Sequence, residues 1–165
     1  MSVGKTTLVN ALKELPKFKD YKFATERSKY LNSLGVPLNT DSTLKGQLIF
    51  AAERSAELLH KNIITDRTII DVMSFNALSK SMSANESYFL NATLEYLAHD
   101  YDYLFYVSPV GVEIEDNGVR ETDAEYRDQI NKKIIDILDI NSINYITLQG
   151  TTEKRIETIK RTILL

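Results

Sequence analysis

Helical periodicity and short apolar runs take turns along this chain, and that alternation restricts its fold more than any other feature. Leu8, Leu12 and Leu15 recur at i, i+4 and i+7 until Pro16 interrupts them, so residues 5–15 read as a helix. "YKFAT" (21–25) reads as a strand, and "ERSKYLNSLG" as a helix closed by Gly35. Leu44, Leu48, Ala51, Ser55 and Leu58 mark a long helix with a narrow stripe of small apolar residues. "NIITD" (62–66) reads as a buried strand, "RTIIDVMSFNALSK" as a helix, and Leu90, Leu94 and Leu97 mark another. "DYLFYV" (102–107) is a third strand, ended by Pro109. Thr122 and Glu125 form a capping box before a helix carrying Ile130, Ile134 and Ile137. "INYITL" is the last strand, and Ile156, Ile159 and Ile163 the last helix, with Lys160 and Arg161 suited to its C-terminal dipole. Strands this apolar, separated by helices, predict an α/β domain whose parallel sheet is covered on both faces. No repeat or linker divides the 165 residues, so 1–165 is expected to be one domain.

Several function classes fall away on composition. The net charge of −3, with no basic block, argues against a dedicated nucleic-acid binder. Without cysteine there are no disulfides and no thiolate metal sites. His60 and His99 lie at no recognised metal-ligand spacing and read as surface residues near helix ends. No apolar run approaches the roughly 18 residues of a membrane span, and no signal peptide precedes the first helix, so a cytoplasmic location is the default expectation.

The chain opens "MSVGKTTL", where Gly4-Lys5-Thr6 matches the tail of the phosphate-binding loop G-x-x-x-x-G-K-[ST]. The string is short, but it stands at the first turn of a predicted helix. Backbone N–H groups there and the positive end of the helix dipole attract phosphate. Val3, Gly4, Lys5, Thr6 and Thr7 are therefore the expected nucleotide contacts. Lys5, expected to be exposed, would reach the β- and γ-phosphates, and the Thr6 hydroxyl would hold Mg²⁺.

Open α/β sheets bind ligands outside the carboxyl ends of their strands. Here the first strand ends at Glu26-Arg27 and the second at Asp66-Arg67, each delivering an acid and a base to the same edge. Asp66 stands where a Mg²⁺-organising carboxylate belongs. Glu26, across the cleft, is placed to take a proton from an attacking hydroxyl. A helix-start carboxylate held by the dipole is the plainer reading of each. The polar segment 111–121 contains Arg120, and Arg127 follows it at i+7; arginines on a lid neutralise charge that develops in phosphoryl transfer. A solvated loop with incidental arginines is the other reading. Gln47 and Arg54 share one helix face (i, i+7); a solvated face is the favoured reading, the lining of an acceptor pocket the second.

Together, "SVGKTTL", "ATERSKYL", "IITDRTIIDVMSF", "YDYLFYVSP", "DNGVRETDAEYRDQI" and "YITLQGTTEKRIETI" cover nearly the whole chain. They resemble the NadR-like family of phosphate-loop kinases, which holds the ribosylnicotinamide kinase domain of bacterial NadR and a related AAA-type domain. More distantly they look like deoxynucleoside and thymidylate kinases. The resemblance implies a three-layer P-loop NTPase fold, ATP as donor and Mg²⁺. It implies Lys5 and Thr6 at the phosphates, Asp66 near the metal, Arg120 in a lid, and Gly150 and Thr151 near the adenine. Gly150 reads equally well as a strand-to-helix turn. Asp71 matches the second acid of "DRTIID"; a helix residue packed beside the site is the alternative.

One departure stands out: relatives begin with a central strand and a complete glycine loop. Without that strand, those at 62–66 and 102–107 lose their shared neighbour. Each unpaired buried backbone group costs about 1–3 kcal/mol, against a total stability of about 5–15 kcal/mol. The expectation is therefore a functional protein that starts upstream of Met1 by very roughly ten residues, a strand of about 5–6 and the loop's opening.

The leading functional reading is an enzyme that moves the γ-phosphoryl of ATP to a small nucleoside- or nucleotide-like acceptor. Glu26, Asp66, Arg67, Lys5 and Arg120 would be its catalytic groups. The alternatives are an ATP-hydrolysing module acting on a protein partner, or a relic that binds nothing. A guanine-reading N-K-x-D is not found; "NKKI" at 131–134 lies inside an apolar-striped helix.

Overall fold

A computed structural model describes residues 4–25, 27–108 and 124–163. The expectations for Val3, Glu26, the 111–121 segment with Arg120, and the Thr122 cap fall outside those residues.

The order of elements follows the sequence pattern. Helix α1 spans Lys5–Lys13, and a single 3₁₀ turn, Pro16–Phe18, follows the proline that ends its periodicity. Strand β1 (Lys22–Ala24), helix α2 (Ser28–Ser33) and helix α3 (Leu44–Glu57) come next, then β2 (Ile63–Thr65), α4 (Ile69–Leu78) and α5 (Ala84–Ala98). Strand β3 (Phe105–Val107), helix α6 (Ala124–Ile140), β4 (Ile146–Leu148) and α7 (Thr152–Ile163) complete it. The helix starts are chemically explicit: Thr68 with Asp71 and Ser83 with Glu86 form capping boxes on α4 and α5.

Helix α4 is apolar around most of its circumference, with Ile69, Ile70, Val72 and Met73 all buried, and only a central position satisfies such a helix. It packs against α3, α5 and α6. Leu90, Leu94 and Ala98 of α5 and Ile137 and Leu138 of α6 belong to the same cluster. A second cluster joins α1 to α7 beneath the strands through Leu8, Leu12, Phe18, Val107, Leu148 and Ile159.

The strands pair in parallel, but not as one sheet. Among the described residues β1 pairs only with β2, in register Phe23 to Ile64, and β3 only with β4, in register Tyr106 to Thr147. A 420 Å³ cavity runs between the two pairs, from His60 and Asp102 at one end to Asp66 and Lys5 at the other. Successive residues of a strand point to opposite faces. Ile63, Ile64 and Thr65 nevertheless all line this cavity, as do Phe105, Tyr106 and Val107. What faces it is therefore the backbone edge of each strand. The parallel strands of the expected α/β fold are thus present as two pairs flanking a slot, and β2 and β3 are not neighbours, as expected for the strands at 62–66 and 102–107. For the same reason β2, expected to be buried, is half-buried.

The stripe on α3 needs a second correction. Leu48 is 48% exposed, whereas Gln47 and Arg54 are 3% and 4% exposed. The face of α3 turned inward is Gly46, Gln47, Ala51 and Arg54. The solvated-face reading of Gln47 and Arg54 is overturned because α3 lies against α4 and the end of β2, where two backbone carbonyls take the Arg54 guanidinium.

No helix among the described residues is long and apolar enough to cross a membrane. His60 and His99 are both exposed, just after α3 and at the C-terminal end of α5.

Candidate functional site

Strand β2 positions the acid of the site. Asp66 follows its last residue, and its N–H donates to the Ala24 carbonyl at 2.8 Å, so the carboxylate leaves the sheet where the β1–β2 ladder ends. Sixty residues earlier in sequence, the Thr6 hydroxyl donates to Asp66 Oδ2 at 2.9 Å. Asp66 is 3% exposed, and its second oxygen, Oδ1, is buried with no hydrogen-bond partner among the described residues. Buried carboxylate oxygens are normally paired.

Helix α1 supplies the opposite wall. Gly4 is its N-cap, at φ +76, and accepts the Leu8 N–H at 2.9 Å. A residue with a side chain is rare in that left-handed region. A Cβ on Gly4 would also stand 3.4 Å from Arg155 Nη1, so the guanidinium lies close over this turn. Among the described residues no side chain caps the helix, and no acid sits in its first turn. Its N-terminal end thus keeps the positive dipole and the outward N–H groups that bind an anion.

Past Asp66 the chain makes a constrained turn. Arg67 has φ +85 and Thr68 begins the N-cap of α4. Asp71 Oδ2 accepts the Thr68 N–H at 2.9 Å, while its Oδ1 lies 3.4 Å from Arg67 Nη1. Burial on its own would raise the Asp71 carboxyl; Arg67, then Lys5, the Thr68 N–H and Arg54 outweigh it and hold the group below the ordinary carboxylate range. The Arg67 guanidinium also sits 5.3 Å from the Phe75 ring centroid. Arg54 Nη1 donates to the carbonyls of Asp66 (3.3 Å) and Arg67 (3.4 Å), and its Nη2 pairs with Glu57 at 2.8 Å. Tyr101 closes the turn from the other side, its hydroxyl accepting the Ile69 N–H at 3.0 Å, and burial pushes its phenol up.

The structure therefore gathers Gly4, Lys5, Thr6, Asp66, Arg67 and Asp71 at one place. Lys5, Asp66, Arg67 and Asp71 line the end of the cavity at the carboxyl ends of the strands. Lys5 is half-buried there, correcting its expected exposure. Thr7 is exposed on the first turn of α1. Arg127 is not brought to the cavity: its Nε lies 3.5 Å from Asp128 on α6. Gly150, at φ +78, makes the turn into α7, and Thr151 Oγ1 accepts the Lys154 N–H, so both serve the start of that helix. Asp71 caps α4 and pairs with Arg67, as the reading of a helix residue packed beside the site expects. Arg27 turns to α3 and pairs with Glu53 at 2.8 Å.

Arg155 and Tyr101 were not anticipated. Arg155 stands one turn before Ile159 on the buried face of α7, and a cation inside an apolar stripe was the signal available. Nothing in the sequence around Tyr101 distinguishes it.

The Asp66–Thr6 pair fits a magnesium ion. Mg²⁺ takes oxygen ligands and is held by one or two carboxylates, with waters and substrate phosphates filling the rest. The unsatisfied Asp66 Oδ1 is an oxygen of that kind. Among the described residues no group of three or more His, Asp or Glu gathers into a cage, which Mg²⁺ does not require.

A family model described as an AAA domain matches residues 1–155. The fold is similar to a solved structure of deoxyadenosine kinase from M. mycoides, with the products dCMP and a flexible dCDP bound. The TM-score is 0.64 at 16% identity, over 99% of this chain and 94% of that one. At that identity the likeness shows a P-loop NTPase-like fold and no more. A search of curated proteins found no match.

Proposed function

The chain belongs to this AAA domain family, and from that premise we propose that it is a P-loop kinase, passing the γ-phosphoryl of ATP to a small nucleoside- or nucleotide-like acceptor. The observation that carries the reading is the Thr6–Asp66 hydrogen bond of 2.9 Å, which joins the uncapped start of α1 to the end of β2 and leaves Asp66 Oδ1 unsatisfied. The bond spans two elements distant in sequence, and a buried carboxylate oxygen without a partner calls for an explanation that a bound ion would supply.

The amides at the start of α1 and the Lys5 ammonium bind the phosphates and oppose their charge. Thr6 and Asp66 are the residues that would hold Mg²⁺; when bound, that ion neutralises charge on the transferred phosphoryl group. Arg67, aimed by Asp71 and the Phe75 ring, adds a fixed positive charge beside it. Glu26 is proposed as the group that orients or deprotonates the acceptor hydroxyl, and Arg120 as a lid arginine that excludes water. Gly150 and Thr151 are proposed near the adenine. The narrower NadR-like assignment rests on the motifs quoted above and makes nicotinamide riboside a prime acceptor to test.

The test is ATP consumption with and without a panel of nucleosides, nucleotides and nicotinamide riboside. Strict dependence on one acceptor supports the kinase. Equal hydrolysis with every acceptor and with none overturns it in favour of an ATPase module, and no nucleotide binding overturns both.

A further inference from the structure

We propose that Arg54, in the last turn of α3, is a positioning residue that holds the turn after β2 and thereby aims Asp66 and Arg67. The functional half of this step rests on the kinase reading; the positioning itself does not.

A guanidinium 4% exposed on a helix is costly to bury unless its donors are used. Here Nη1 donates to the carbonyls of Asp66 and Arg67 at 3.3 and 3.4 Å and Nη2 is anchored by Glu57, one turn along α3, at 2.8 Å, while Nε is buried without a hydrogen-bond partner among the described residues. The two carbonyls belong to the residues the site uses, and one of those residues is under strain. Arg67 has φ +85 and a full side chain, a conformation that persists only where its surroundings over-determine it.

Those surroundings can be named peptide by peptide. The Asp66 N–H is taken by Ala24 at 2.8 Å, the Thr68 N–H by Asp71 at 2.9 Å and the Ile69 N–H by Tyr101 at 3.0 Å. Sheet, helix cap and phenol thus satisfy donors on both sides of the turn. Arg54 supplies the complementary half, donating to the carbonyls of Asp66 and Arg67. It touches neither carboxylate oxygen of Asp66 and acts through the backbone alone. Asp71, Glu57 and Lys5 are the charged groups that share this corner with Arg54 and Arg67.

Amide hydrogen exchange on Arg54→Met, which keeps the aliphatic stem, tests the positioning without any ligand. Exchange at residues 67–70 is expected to rise by about tenfold or more, while the amides of α5 keep their protection. Unchanged exchange at 67–70, or an equal rise throughout the chain, overturns the proposal. Should Arg54→Met fail to fold, Arg54→Lys carries the same comparison. It keeps a charge beside Glu57 and one donor, so a smaller local rise is expected, and none overturns the claim. In turnover assays, the Mg²⁺ concentration for half-maximal rate should rise about tenfold in Arg54→Met, with the KM for ATP at saturating Mg²⁺ within about twofold of the parent and partial recovery in Arg54→Lys. A fall in rate at every Mg²⁺ concentration without that split would sink the functional half. If the parent turns over no nucleotide, the kinase reading falls, and hydrogen exchange still decides whether Arg54 holds the turn.

Discussion

Replacing Asp66 with asparagine separates a ligand-binding acid from a structural one. In the parent, the Thr6 hydroxyl donates to Asp66 Oδ2 at 2.9 Å while Oδ1 is buried and unsatisfied. A hydrogen bond to a charged group contributes about 1.5–3 kcal/mol to stability, and an unsatisfied buried polar atom costs about 1–3 kcal/mol. The two nearly cancel. Asp66→Asn keeps an oxygen for Thr6 and removes the buried charge, so its unfolding free energy should lie within about 1 kcal/mol of the parent. Binding of Mg²⁺ with nucleotide should fall much further. Changing a group that only supports a metal ligand typically costs about 10–100-fold in affinity, and losing the carboxylate itself should cost at least that, about 1.4–2.8 kcal/mol or more. Urea unfolding gives the first quantity. Titration calorimetry with MgATP, or Mn²⁺ followed by its spin resonance, gives the second. Loss of more than about 3 kcal/mol of stability with unaltered MgATP affinity would mean that Asp66 is a structural acid, and the reading of the site would be wrong.

Other perturbations divide along the same line. Lys5→Ala should lower turnover by about 10²-fold or more while moving the denaturation midpoint little, since Lys5 is only half-buried; equal turnover would remove it from the site. Gly4→Ala forces a side chain into φ +76 and to 3.4 Å from Arg155, and should cost about 1–2 kcal/mol of stability as well as phosphate affinity, read by denaturation and ATP titration. The Asp71 carboxyl is held low, so its contribution is present above its unfolded value near 3.9 and is lost as pH falls through its still lower folded value. Asp71→Asn should therefore be less stable than the parent at pH 7 by about 1 kcal/mol, and denaturant midpoints of the two should converge as the pH drops below that window; a gap independent of pH would deny the charge any part.

What this sequence determined by itself is local. Leu8 and Leu12 sit on one face of α1, Ile156, Ile159 and Ile163 on one face of α7, and Pro16 ends the first of those helices, because period and backbone chemistry act within a few residues. The loop tail Gly4-Lys5-Thr6 and the acid Asp66 were legible for a related reason: each lies at the end of an element whose direction the parallel topology dictates. Only the tertiary structure decided that β1 pairs with β2 and β3 with β4, because no local pattern encodes which edges meet. It also decided the inward face of α3. By hydrophobicity Leu48 should be buried and Arg54 solvated, but the carbonyls of Asp66 and Arg67, a dozen residues away in sequence, and the neighbouring Glu57 make the buried site favourable for a cation. Arg155 over Gly4 and Tyr101 at the start of α4 belong to the same class. A polar side chain's place depends on which distant donors and acceptors folding brings to it, and that is information the residue's own neighbours in the chain do not carry.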